Sequence, residues 1–144
     1  MRTAVFPGSF NPFTRGHADI VRRGLELFDR IVIAVGINAS KSASDADALA
    51  APIRELFESE PRVIVTTYTT LTVDIAREYD ARFILRGVRS VKDFEYERDM
   101  ADINRQLSGI ESVILFSSPE LSAISSSVVR ELQSFGHDVS RFLP

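Results

Sequence analysis

The chain of 144 residues has no cysteine, only two histidines and no long apolar run. Without cysteine, disulfides, thiolate metal sites and thiol nucleophiles are all excluded. Two histidines are too few for a His-rich metal centre. No segment approaches the roughly 20 apolar residues that cross a bilayer. Met1-Arg2-Thr3 leads into a short apolar run and then Pro7-Gly8, which lacks the layout of a secretory signal. The expected compartment is therefore the cytoplasm, with no membrane contact. A large excess of positive charge is missing too: 17 Lys and Arg stand against 20 Asp and Glu, a net charge of -3. General nucleic-acid binding needs a basic surface and is not expected. A few local cations could still hold a small phosphorylated ligand. What is present is 44% hydrophobic and 26% charged residues. That is the balance of a folded globular chain, and the length suits one domain over residues 1–144.

Short β-branched runs alternate with longer segments of helical period. Ala4–Phe6, Ile31–Val35, Val63–Val65, Phe83–Leu85 and Val113–Phe116 read as strands, each apolar enough to be covered on both faces. Helices are predicted from about Gly16 to Phe28, Thr72 to Tyr79, Asp93 to Leu107 and Ser125 to Phe135. The third places Tyr96, Met100, Ile103 and Leu107 at spacings of four, three and four. Ala46–Ser59 reads as part helix, with Pro52 expected to kink or end it. Ala39–Ala51, rich in Ala, Ser and Asp and without large apolar anchors, reads as a mobile loop. The alternation predicts an α/β fold: a Rossmann-like, open, parallel five-stranded sheet with helices on both faces.

Ligands of such sheets bind beyond the carboxyl ends of the strands. The segments that follow the five strands carry Pro7–His17, Asn38–Lys41, Thr69–Thr72, Arg86–Arg89 and Ser117–Ser127. Hydroxyls, glycine turns, a histidine, a lysine and two arginines thus converge on one rim, in the manner of a phosphate site. Thr14 is placed to cap the first helix, with His17 in its first turn. A lone histidine there could be a core residue satisfied by a carbonyl, or a donor to an anion at a helix N-terminus. The Thr-x-Gly-His context favours the second. Ser125, Ser126 and Ser127 open the last helix, where one serine cap would suffice. Arg86 and Arg89 flank Gly87, and arginine forks suit phosphate oxygens. Lys41 gains interest only from its place on the rim. The chain has no P-loop signature, no Gly-x-Gly-x-x-Gly after the first strand and no Gly-x-Ser-x-Gly elbow. This argues against P-loop, dehydrogenase and hydrolase chemistry.

The run Pro7-Gly-Ser-Phe-Asn-Pro-x-Thr-x-Gly-His17, with the later Ile124-Ser-Ser-Ser-x-Val-Arg130, resembles the Thr/His-x-Gly-His nucleotidyltransferases. The block Arg86–Glu97, Asp102–Arg105 and the closing Gly136–Pro144 are similar to the bacterial phosphopantetheine adenylyltransferase family. That resemblance implies adenylyl transfer from ATP to 4′-phosphopantetheine, with magnesium, in a homohexamer. It implies that Ser9, His17, Lys41 and Arg89 surround the ATP phosphates, with His17, Lys41 and Arg89 as the catalytic groups. It places Phe10, Gly87 and Glu97 near the nucleotide and Ser125, Ser126 and Ser127 along its β- and γ-phosphates. Ser9, Lys41, Leu71, Thr72, Arg86 and Asn104 would meet the pantetheine arm. The residues agree with such chemistry. An acceptor phosphate is already ionised at neutral pH, so the site needs alignment and charge neutralisation, with no strong base. Few protein ligands are expected for the metal, which can ride on the triphosphate. Two other readings remain open: a related transferase acting on nicotinamide mononucleotide or another small phosphate, and a nucleotide-binding relative without turnover.

Overall fold

A computed structural model describes residues 1–37 and 42–144. Five strands, β1 (Thr3–Gly8), β2 (Arg30–Gly36), β3 (Val63–Tyr68), β4 (Phe83–Val88) and β5 (Glu111–Phe116), form one sheet. Their order is β3-β2-β1-β4-β5 and every pairing is parallel. The helices between and after them are α1 (Arg15–Gly24), α2 (Ala43–Leu56), α3 (Thr72–Glu78), α4 (Val91–Ser108) and α5 (Ser126–Ser134).

Alternation along the strands builds a core on each face. Ala4, Phe6, Ile31, Ile33 and Leu85 pack with Ile20, Val21 and Ile53 of α1 and α2. Val5, Val32, Ala34 and Ile84 pack with Val73, Ile75 and Ala76 of α3. The sheet is thus doubly wound, as the alternating pattern implies.

The strand order reverses direction at β1 and β4, the place where such folds bind ligands. Register sharpens that point. β1 pairs with β2 at six positions, but with β4 only at Ala4–Phe83 and Val5–Ile84. Beyond those, the two strands part toward their carboxyl ends. Pro7 has no N–H to continue a ladder, and its carbonyl accepts from Arg86 Nη1 instead, at 2.5 Å. The gap opens directly beneath the loops that carry the candidate residues.

One expectation needs correction. Ser42–Ala51 is no loop: α2 starts at Ala43, capped reciprocally by Ser42 and Asp45. Ala46, Ala50 and Ile53 are its buried face, and buried Phe57 follows at its C-cap. Alanine is the best helix former and lets a helix lie close to a sheet, so the lack of large anchors misled the composition argument. Pro52 lies inside the helix, on its exposed face, so solvent can satisfy the carbonyl that loses its partner.

For α4 the spacing left the facing open. Its apolar stripe faces outward: Tyr96, Ile103 and Leu107 are each at least half exposed, and Met100 is exposed as well. The inner face carries Asp93, Glu97, Ala101, Asn104 and Ser108.

Candidate active site

Two clefts open on the carboxyl side of the sheet, separated by Pro7–Ser9 and Arg86, which line both. The first, about 270 Å³, lies between the β1–α1 loop, the end of β4 and the start of α5. The second, about 310 Å³, lies between β1, the ends of β2 and β3, and α4.

The β1–α1 loop is shaped by close packing. A Cβ on Gly8 would lie 2.7 Å from the buried Phe10 ring, so any side chain there would have to displace that ring. Phe10 has φ of 47°, a left-handed conformation uncommon for a bulky side chain, and its ring is buried. The Asn11–Pro12 peptide is cis. Phe10 and Phe13 then pack on His17, with ring centroids 5.0 and 5.3 Å away. α5 holds the loop from the other side: Ser126 Oγ donates to the Pro12 carbonyl at 2.8 Å, and Arg130 Nη1 to the Asn11 carbonyl at 2.7 Å.

His17 is the third residue of α1 and completes a capping box with Thr14. The Thr14 N–H donates to His17 Nδ1 at 2.9 Å. Nδ1 is therefore an acceptor, and the ring proton of the neutral imidazole sits on Nε2. The aromatic wall and the nearby charges act together on this group. Burial, reinforced by the Arg86 and Arg89 guanidiniums, pushes its pKa down from 6.5 to about 4. The site thus holds a neutral Nε2–H donor at physiological pH.

This has a consequence for stability. Between pH 6.5 and about 4 the unfolded chain binds a proton that the folded site refuses. His17 therefore makes stability fall as pH falls through that window and has no such effect above it. Ring nitrogen shifts followed by NMR should show His17 neutral, protonated on Nε2, from pH 7 to 5. Titration of His17 near 6.5 would contradict this account of the site.

The electrostatics of the first cleft favour a polyanion. Of the five α-helices among the described residues, α2, α3 and α4 carry Asp in the first turn, whereas α1 and α5 carry no acid there. α1 and α5 are the two whose starts line this cleft. Their free N–H groups and positive dipole ends are left for a ligand. Arg89 reaches the same cleft, tethered by Asp93 at 3.6 Å and by the Ser122 carbonyl at 3.3 Å.

Ser9, Phe10, His17, Gly87, Arg89 and Ser125–Ser127 all line this first cleft. The three serine hydroxyls already have partners in the protein. Ser125 accepts from the Val128 N–H, Ser126 donates to loop β1–α1 and Ser127 accepts from Arg130. Ser9, Thr72, Arg86 and Asn104 line the second cleft. Glu97 lies there too, paired with Arg86, and does not line the first cleft. Leu71 is 61% exposed, sits at the N-cap of α3 and does not line either cleft. Lys41 lies outside the described residues.

Sequence reasoning missed Tyr68 and Tyr96 in the second cleft and the anchoring role of Arg130. Tyr68 ends β3, and Arg130 closes the serine motif, so position on the rim could have found both.

The arrangement is that of a nucleotidyltransferase. A family model described as cytidylyltransferase-like matches residues 5–132, and the chain belongs to that family. Fold likeness agrees. A bifunctional NMN adenylyltransferase/ADP-ribose pyrophosphatase from Francisella tularensis superposes with a TM-score of 0.67 at 12% identity, over 99% of this chain and 44% of that one. Among relatives in sequence, phosphopantetheine adenylyltransferase of Bacteroides fragilis is 50% identical over 100% of this chain and 97% of its own length. That of Porphyromonas gingivalis is 54% identical over 98% of this chain and 93% of its own. Within the wider family, the chain belongs with the phosphopantetheine adenylyltransferases.

Proposed function

We propose that this enzyme transfers the adenylyl group of ATP to 4′-phosphopantetheine, giving dephospho-coenzyme A and pyrophosphate in coenzyme A biosynthesis. The observation that carries this reading is the pair of clefts sharing Pro7–Ser9 and Arg86. A triphosphate suits the cleft with two acid-free helix starts, and a second phosphorylated molecule in its neighbour would meet it at the shared wall. An oxygen of the acceptor phosphate attacks the α-phosphorus, the bond from that phosphorus to the bridging oxygen breaks, and pyrophosphate leaves. His17 Nε2–H donates to an oxygen on the reacting phosphorus, while Arg89 and the helix N-termini offset its charge and Arg86 faces the acceptor phosphate. No side chain has to remove a proton, because the acceptor is already an anion.

The nucleotide enters as its magnesium complex. The ion would be carried by the triphosphate, with few ligands from the protein. Bound there, the ion would neutralise charge on the phosphates. Pyrophosphate release from ATP and magnesium, with and without phosphopantetheine, tests the assignment. Release is expected only with the acceptor, and better turnover with nicotinamide mononucleotide would overturn it.

A homohexamer and a cytoplasmic location belong to the same proposal. Ile103 and Leu107, exposed on α4 outside the second cleft, support assembly, because exposed apolar side chains of this kind mark an interaction face. No helix among the described residues is long and apolar enough to cross a membrane. Sedimentation should give six times the 16.1 kDa chain mass, and Ile103→Asp should yield smaller species. A monomer at micromolar concentration would refute the assembly.

A further inference from the structure

Glu97 is the one buried residue of α4 and the one buried acid among the described residues, 7% exposed. Its carboxylate grips Arg86 with both oxygens: Nε to Oε2 at 2.9 Å and Nη2 to Oε1 at 2.6 Å. Arg86 Nη1 reaches across the gap between β4 and β1 to the Pro7 carbonyl. Three of the five guanidinium N–H groups are thereby committed, leaving one on each terminal nitrogen. Arg86 belongs to the wall of both clefts, whereas Glu97 lines only the second.

A helix that turns polar residues inward and apolar ones outward reverses the usual pattern. Burying an ion pair there is weak evidence for stability, since desolvation offsets most of the attraction. What the pair does supply is geometry. The bidentate grip fixes the plane of the guanidinium, and the Pro7 contact fixes its reach.

We infer that Glu97 is a positioning residue: it holds Arg86 in the β1–β4 gap so that the two remaining N–H groups meet the acceptor phosphate where the clefts join. This rests on the proposed adenylyl transfer and deepens it. It also assigns Glu97 a different role from direct contact with the nucleotide, which the family resemblance implied. Glu97 acts through Arg86, on the acceptor side.

The experiment is a double-variant cycle on E97Q and R86A, with both substrates varied. E97Q should raise KM for phosphopantetheine about tenfold or more, the scale of a lost charge-assisted contact, and leave KM for ATP within about twofold. R86A should do the same, and the double variant should be no worse than R86A alone, because the two residues act as one unit. Glu97→Asp keeps the charge but shortens the reach, so an intermediate rise is expected. That variant carries the test if E97Q melts early. A raised KM for ATP in E97Q, or losses that multiply in the double variant, overturns the inference. Absence of turnover in the parent sinks the functional reading by itself. The pair is then judged by calorimetry with inorganic phosphate. Equal losses of affinity in E97Q, R86A and the double variant support positioning, and additive losses refute it.

Discussion

His17→Ala should lower turnover by about two to three orders of magnitude, the cost of removing one preorganised donor to the charge that develops in the transition state. The substitution also removes a structural bond. His17 Nδ1 accepts the Thr14 N–H, so Ala should destabilise α1 by about 1 kcal/mol through loss of the capping box. The two effects can be separated. His17→Gln keeps an acceptor for the Thr14 N–H at the position where Glu or Gln normally completes such a box, but it has no imidazole. Its melting temperature should recover toward that of the parent, and its turnover should stay low. Pyrophosphate release per folded enzyme, measured beside thermal unfolding, distinguishes the outcomes. Specific activity within a few-fold of the parent in the folded fraction of either variant would make His17 a core residue with a satisfied nitrogen and nothing more.

That alternative was open from the sequence, and the structure explains why both readings had force. His17 is packed among Phe10 and Phe13 like a core side chain and lines the first cleft like a ligand group. Thr14 and Gly16 announce a helix start, and position after β1 places that start on the ligand-binding rim. What the Thr-x-Gly-His pattern does not state is the tautomer, which is set by the Thr14 N–H donating to Nδ1.

Legibility elsewhere followed the same division. The strands were readable because each is a nearly unbroken apolar run, and the rim followed from the doubly wound topology. α2 was not readable as a helix from residue 43, because its buried face is made of Ala46 and Ala50, which composition alone cannot tell from loop alanines. α4 was readable as a helix but not as to which way it faces. Tyr96, Met100, Ile103 and Leu107 have the spacing of a core stripe, yet the side turned to the sheet carries Glu97 and Asn104. Periodicity locates an apolar face without saying whether this chain or another copy covers it. The early parting of β1 from β4 was equally hidden, since it depends on two strands far apart in sequence. Pro7 was its one local sign.

Ser126→Asp should lower ATP affinity by about a hundredfold or more, whereas Ser126→Ala should cost about tenfold. Ser126 is the first residue of α5, and its hydroxyl donates to the Pro12 carbonyl at 2.8 Å. Alanine removes that tie between α5 and the β1–α1 loop, leaving Arg130 to hold the Asn11 carbonyl. The loop carrying Ser9 and Phe10 loosens, and the nucleotide is held less well. Aspartate does more. A carboxylate cannot donate to the Pro12 carbonyl, and it places negative charge in the cleft proposed for the triphosphate. At a helix N-terminus the same charge is favourable in the absence of ligand, by about 0.3–1 kcal/mol. The two observables should therefore move in opposite directions. The melting temperature of the free Asp variant should stay near that of Ser126→Ala or rise above it, while its ATP affinity falls far below. Calorimetry with ATP and magnesium, beside thermal unfolding of both variants, reads the pair. An Asp variant that binds ATP as tightly as the parent would show that the acid-free start of α5 does not face the phosphates, and the first cleft would lose its claim to the nucleotide.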